Sequence, residues 1–316
     1  MNELSHTRTN HLIDPSMHVW GWEIPVYLFL GGLVAGMMII AGYFLFMGRH
    51  KEPKCSCFYL PIISTIVLSI GMFALFLDLE HKLYFWRLYT TFQLKSPMSW
   101  GAWILVLVYP ALFANILIRP PEIISNKFRL IASLSEKINR MKNSTRLIGI
   151  LNISLGVLLG VYTGILLSAL GARPLWNTSI LWMLFLISGL SAAAAFVHLI
   201  AKDVQEREML AKADNTFLTV ELIVIILLIV GALSSTQAHI DAINIILTGP
   251  FAASFWVFVV GLGIIIPLIF QVLAVQHKII HTPVFPIMVI VGGLILRFII
   301  VYAGQYSHWS HTVLGK

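Results

Sequence analysis

Five places in this sequence set an ionisable or phenolic side chain inside a long apolar run or at its end, and such groups are the ones able to move protons or to hold a polar head group. Glu23 and Tyr27 stand four residues apart and share a helix face. Asp78 and His81, three apart, close the next run, with the same consequence. Tyr162 sits within Val161-Tyr162-Thr163-Gly164, and Arg297 lies midway through the last run. Asp214 and Glu221 are seven apart and so repeat one helical face. A carboxylate or phenol so placed can hydrogen-bond a head group and accept its proton. A guanidinium at mid-span needs a partner, and Asp78 and Glu23 are the candidates for Arg297. Asp214 and Glu221 suit a proton relay opening to the opposite side. Each group also has a plain structural reading: a solvated helix end, a buried bonded tyrosine, a structural ion pair, or a cap followed by a neutral glutamic acid. Trp20 and Trp22 fit an interfacial aromatic belt equally well.

Metal chemistry has less to work with. Cys55 and Cys57 are the only cysteines and form a Cys-x-Cys pair in a short basic loop. Zinc and iron–sulfur sites generally take four ligands, so two reduced thiols are expected. A membrane haem needs facing histidine pairs within spans, and His198 alone among eleven histidines lies inside one. Neither haem nor metal is expected in this chain.

The elements that must position these groups are membrane helices. Of 316 residues, 58% are hydrophobic and 11% charged, with mean hydropathy +0.87; soluble domains carry about 25% charged residues. The net charge of +7 belongs to the loops of a membrane protein, so the partner is a lipid bilayer and no nucleic acid is expected. A span needs about 20 apolar residues, which predicts helices at 24–47, 58–78, 99–119, 146–170, 178–200, 216–237, 251–275 and 284–304. Fourteen Lys and Arg fall in the loops on one side and six on the side of the termini, so the positive-inside rule puts both termini outside, in the periplasm of a Gram-negative cell. Met1–Met17 is polar and lacks the apolar core of a signal peptide. The chain reads as one all-α membrane domain over 1–316. It would form two four-helix bundles, about 24–170 and 178–304, joined by a basic cytoplasmic loop at 120–146 with a surface helix following Ser125-Asn126. Leu28-Phe29-Leu30 with Gly32-Leu33 recurs as Leu184-Phe185-Leu186 with Gly189-Leu190, a faint parallel repeat of the two halves.

Several segments, in order along nearly the whole chain, resemble the NrfD/PsrC family of polysulfide reductase membrane subunits. They are Trp20-Gly-Trp-Glu-Ile-Pro-Val-Tyr27 through Gly36, Asp78-Leu79 with Phe85-Trp86, Ser96-Pro-Met-Ser-Trp-Gly-Ala-Trp103, Tyr162-Thr-Gly-Ile-Leu-Leu-Ser168, Arg173-Pro-Leu-Trp-Asn177, Ser188-Gly-Leu190, and Arg297-Phe298 with Tyr302-Ala-Gly-Gln305. The resemblance implies an eight-helix subunit of the bacterial inner membrane that oxidises menaquinol or ubiquinol near the periplasmic face. It would pass electrons to an iron–sulfur subunit and on to a molybdopterin catalytic subunit. It further implies that Tyr27 and Tyr162 contact the quinone with Glu23, His81 and Asp78 around them. Tyr162, Asp78 and Arg297 would take part in the chemistry, and Asp214 and Glu221 in proton movement. Ile24 departs from relatives that carry Asn there. The alternative from another class is a secondary transporter with an intramembrane carboxylate site, for which Gly261, Gly263 and Pro267 are the foothold; a passive anchor without a quinone site is the third reading.

Overall fold

The computed structural model describes residues 20–49, 52, 55–121, 128–141, 143–275 and 282–309. Met1–Met17, Ser125-Asn126 and the loop cations Arg8, Lys51, Lys54, Lys127, Lys142, Lys278 and Lys316 lie outside them. Among the described residues the regular structure is entirely helical, with eight helices long and apolar enough to cross a membrane.

In chain order the helices are α1 (Glu23–Phe46), α2 (Leu60–Asp78), the short α3 (Arg87–Thr90), α4 (Pro97–Ile118), the surface helix α5 (Arg129–Arg140), α6 (Ser144–Ser168), α7 (Leu181–Ile200), α8 (Val204–Leu233), α9 (Gln237–Leu247), α10 (Ser254–Val275) and α11 (Val284–Tyr306). Helix α10 opens with a π-helical stretch, Ser254–Ile265. Seven spans match the predicted helices within a few residues. The eighth, α8, begins at Val204, twelve residues before the expected 216. With 30 residues it is about 45 Å long and overruns the roughly 30 Å hydrocarbon layer. Asp214 is therefore inside the helix, ten residues beyond its start, and not at its inner end as expected. Helix α9, in the connection between the sixth and seventh spans, has no counterpart among the predicted elements.

Helix α1 is the central post, buried on nearly every side and packed against α2, α6, α7 and α11. In lipid the hydrophobic effect between helices is weak, so close backbone approach through small residues holds the bundle together. Gly32 and Gly189 meet backbone to backbone where α1 crosses α7, so a Cβ on Gly189 would come within 2.6 Å of the Gly32 carbonyl. Gly42 and Gly149 do the same between α1 and α6, as do Gly263 and Gly292 between α10 and α11. The two glycines of the suspected repeat are thus the ones in mutual contact.

The chain ends near α1 are stitched together. Gln305 of α11 accepts from the Trp20 amide at 3.0 Å and donates back to its carbonyl at 3.1 Å. Trp20 stacks on Trp176, whose indole nitrogen donates to the Ile300 carbonyl at 2.8 Å. Trp20 is therefore a packing residue, whereas Trp22 stays exposed.

Candidate functional site

Two polar groupings occupy the bundle. The first is phenolic. Tyr27 of α1 and Tyr162 of α6 are both buried and their hydroxyls interact, with Tyr89 within electrostatic range of both and Tyr109 within range of Tyr27. Helix α4 admits the Tyr162 ring because residue 101 is glycine: a Cβ there would collide with the ring and hydroxyl of Tyr162. Gly71 of α2 packs closely on Leu30 of α1, one turn from Tyr27.

Tyr89, Tyr109 and Ser69 line a cavity of about 380 Å³ whose other walls are apolar, among them Met72, Phe76 and Leu79. The Tyr109 hydroxyl lies 3.3 Å from that of Ser69. A second cavity of about 400 Å³ opens toward the 79–99 loop and presents His81, Arg87, Gln93 and Ser99. Leu79, Phe85 and Leu88 belong to both cavities and form the wall between them. Burial pushes the Tyr89 phenol above its ordinary value, with Tyr109 adding to the effect, so Tyr89 is a hydrogen-bonding group and not an anion at neutral pH. Tyr89 and Tyr109 are missing from the expected site. Tyr109, a phenol in the middle of an apolar run, carries the same signal as Tyr162; Tyr89 is masked by the aromatic loop around it.

Around this cluster the sequence-derived residues fall at different distances. Asp78 and Glu23 are half-buried and close enough to repel each other, and His81 is exposed on the outer cavity. Arg297 does not join them. Its Nη2 donates to the Phe185 carbonyl at 2.9 Å, its guanidinium lies 4.1 Å over the Phe185 ring, and its nearest opposite charge is Glu221. The expected pairing of Arg297 with Asp78 or Glu23 is therefore corrected: α11 turns residue 297 toward α7 and α8.

That contact belongs to the second grouping, a buried row of carboxylates on α8. Asp214 accepts from the Ser191 hydroxyl at 2.7 Å through one oxygen and from the Gln271 amide at 2.9 Å through the other. Ser188, one turn from Ser191 on α7, sits beside Glu221. Two serines three apart thus face two carboxylates seven apart, and Arg297 closes the row. Arg297 Nε and Nη1 have no hydrogen-bond partner among the described residues. Its Nη2 also lies 3.5 Å from where a Cβ on Gly32 would stand. Tyr27 is five residues along α1 from Gly32, about 7.5 Å of helix rise, so the two groupings meet α1 less than two turns apart.

At the other end of α8 the same buried face carries Glu206, fully enclosed, which accepts the Ser56 amide at 3.2 Å. It stands eight residues before Asp214, outside the helix that hydropathy predicts, and so is absent from the expected site. Beside it Arg49 bridges Glu52 at 2.9 Å and Asp203 at 3.0 Å, tying the end of α1 to the start of α8. Cys55 and Cys57 are buried and joined as a disulfide; the expectation of two reduced loop thiols is corrected, because the 3₁₀ turn at Ser56–Phe58 folds the two sulfurs toward each other.

Over 303 residues the protein is 32% identical to the C chain of polysulfide reductase from Wolinella succinogenes, with 91% of this sequence and 94% of that one covered. It is 29% identical over 315 residues to "Protein NrfD" of Escherichia coli K12, covering 92% and 96%, and 30% identical over 309 residues to "Protein NrfD homolog" of Haemophilus influenzae, covering 92% and 95%. The model of the family described as "Polysulphide reductase, NrfD" matches residues 10–307, and with eight apolar helices beneath that match the protein is a multi-pass membrane protein belonging to the NrfD family.

Proposed function

We propose that this protein is the membrane anchor and quinol-binding subunit of a respiratory molybdopterin oxidoreductase of the bacterial inner membrane. It oxidises menaquinol or ubiquinol near the periplasmic face and delivers electrons to an iron–sulfur subunit, which feeds a molybdopterin subunit. The domain is a single unit of two four-helix bundles, about 24–170 and 178–304, with both termini periplasmic and the basic loop 120–146 cytoplasmic. Loop charge and family membership support that orientation, and family membership gives no footing to a secondary transporter.

The observation that carries the reading is the buried pair Tyr27 and Tyr162, which stands behind Tyr89 and Tyr109, the two phenols that line a largely apolar cavity. A quinol is a flat apolar ring with two hydroxyls, and a cavity walled by Met72, Phe76 and Leu79 that also presents Tyr89, Tyr109 and Ser69 fits it. Oxidation releases two electrons and two protons. Tyr162 and Tyr27 orient the hydroxyls by hydrogen bonding, Asp78 and Glu23 are the bases near the same end of the bundle, and His81 offers an outer acceptor. Asp214 and Glu221, faced by Ser191 and Ser188 and closed by Arg297, form the proton route through the second half. Arg297 acts there as the counter-charge to Glu221, and not beside Asp78.

The test is Tyr162→Phe in the intact complex. Quinol-dependent reduction of the terminal acceptor is expected to fall at least about a hundredfold, within the range for loss of a positioned proton-transfer group, while the partner subunits still co-purify. Unchanged turnover with a normally assembled complex would remove Tyr162 from the site.

A further inference from the structure

Five of the protein's seven net positive charges lie in residues 119–146, where seven Lys and Arg face only Glu122 and Glu136. Helix α5 is the part of this segment that presents itself as a surface, and it has three distinct faces. Ile131, Ala132, Ser135 and Ile138 turn toward α4 and α6, and Asn139 donates to the Ile118 carbonyl at 3.0 Å, capping the end of α4. A second face carries Leu130, Leu134 and Met141, with Phe128 just before them, all exposed, Leu130 at 80%. Arg129, Ser133, Glu136 and Arg140 form the third, where Glu136 and Arg140 make one exposed pair at 3.7 Å. Lys137 sits on the apolar face, four residues from Ser133 and three from Leu134, with a side chain long enough to reach past that face.

An exposed apolar stripe edged by cations, at the end of two membrane spans, fits a leaflet and not water. We infer that α5 is an anionic-phospholipid docking surface: Phe128, Leu130, Leu134 and Met141 enter the acyl boundary while Arg129, Lys137, Arg140 and Arg146 hold lipid phosphates. Charge complementarity selects the occupant, because a zwitterionic headgroup layer leaves this excess of cations unmatched. The neighbouring spans supply the depth, since α4 and α6, against which α5 packs, carry the exposed apolar side chains Phe113 and Leu147 toward their adjoining ends. Arg146 lies 4.9 Å over the Phe46 ring, carrying the cationic edge across to the end of α1. None of this depends on the quinol reading.

The experiment uses the full-length protein in nanodiscs of phosphatidylcholine with graded phosphatidylglycerol. Native mass spectrometry then gives the preference for retained phosphatidylglycerol over phosphatidylcholine. An R129Q/K137Q/R140Q/R146Q variant is expected to lose that preference by about tenfold or more, each cation near an anionic surface being worth several-fold in affinity. Bimane attached at L134C, in the otherwise native helix, is expected to be quenched by shallow doxyl-lipid and not by iodide, and at S133C the reverse. Undiminished preference in the quadruple variant, or L134C quenched by iodide as strongly as S133C, overturns the proposal. So does an L134C label shielded from both quenchers, which would mean that protein covers the stripe.

Discussion

Gly101→Ala separates the positioning of Tyr162 from its chemistry. The added methyl group would collide with the Tyr162 ring and hydroxyl, so the phenol must move away from α4 by the order of an ångström or α4 must retreat. Overpacking of this kind costs about 1–3 kcal/mol, while Gly→Ala within a helix returns about 1 kcal/mol of propensity. Net stability is therefore expected to drop by at most about 2 kcal/mol, little enough for assembly to survive. Turnover behaves differently, because a displacement of about 1 Å in a positioned group can cost about a hundredfold in rate. The assay is steady-state oxidation of a short-chain quinol by the purified complex, beside thermal denaturation in the same detergent. Gly171→Ala is the control, since nothing lies within 4 Å of a Cβ there. A G101A complex with wild-type turnover would refute the idea that Tyr162 has to stand where it does, and with it the phenolic site.

Asp214→Asn should keep the fold, because the Oε1 of Gln271 is free of partners among the described residues and a flipped amide can accept from the new NH₂. Expected are a stability loss of about 1 kcal/mol or less and intact quinol turnover. Any proton uptake coupled to turnover in proteoliposomes should be lost; unaltered proton stoichiometry would take Asp214 off the route. Trp176→Phe removes the indole donor to the Ile300 carbonyl, which keeps its helical partner, so thermal stability should fall by about 1 kcal/mol; an unchanged melting temperature would contradict the bond described for Trp176. A C-terminal alkaline phosphatase fusion should be active, and an inactive fusion beside a fluorescent green one would reverse the topology.

Hydropathy makes the spans readable, because twenty apolar residues in a row have few other uses. The start of α8 is hidden for the same reason. Residues 204–215 include Gln205, Glu206, Arg207, Glu208 and Lys212, which read as loop by polarity, although most are good helix formers and the periodic set Glu206, Leu210 and Asp214 is buried. Position along a span is therefore legible and rotation about its axis is not. That is why depth alone pairs Arg297 with Asp78, when the face it shares with Glu221 decides the matter. The phenols of α1 and α6 can be picked out as polar groups in apolar runs, but their meeting depends on Gly101, a small residue whose role emerges only once helices are packed.

The backbone contact between Gly32 and Gly189 has a mechanical consequence. Helices that touch main chain to main chain cannot slide or twist past each other without breaking van der Waals contact along both, so α1 and α7 behave as one stiff lever. Tyr27 rides on one arm of that lever, while Phe185, Ser188 and Ser191 ride on the other. A tilt imposed on α1 would therefore reach the α7 groups that hold Arg297 and Asp214 through packed main chain.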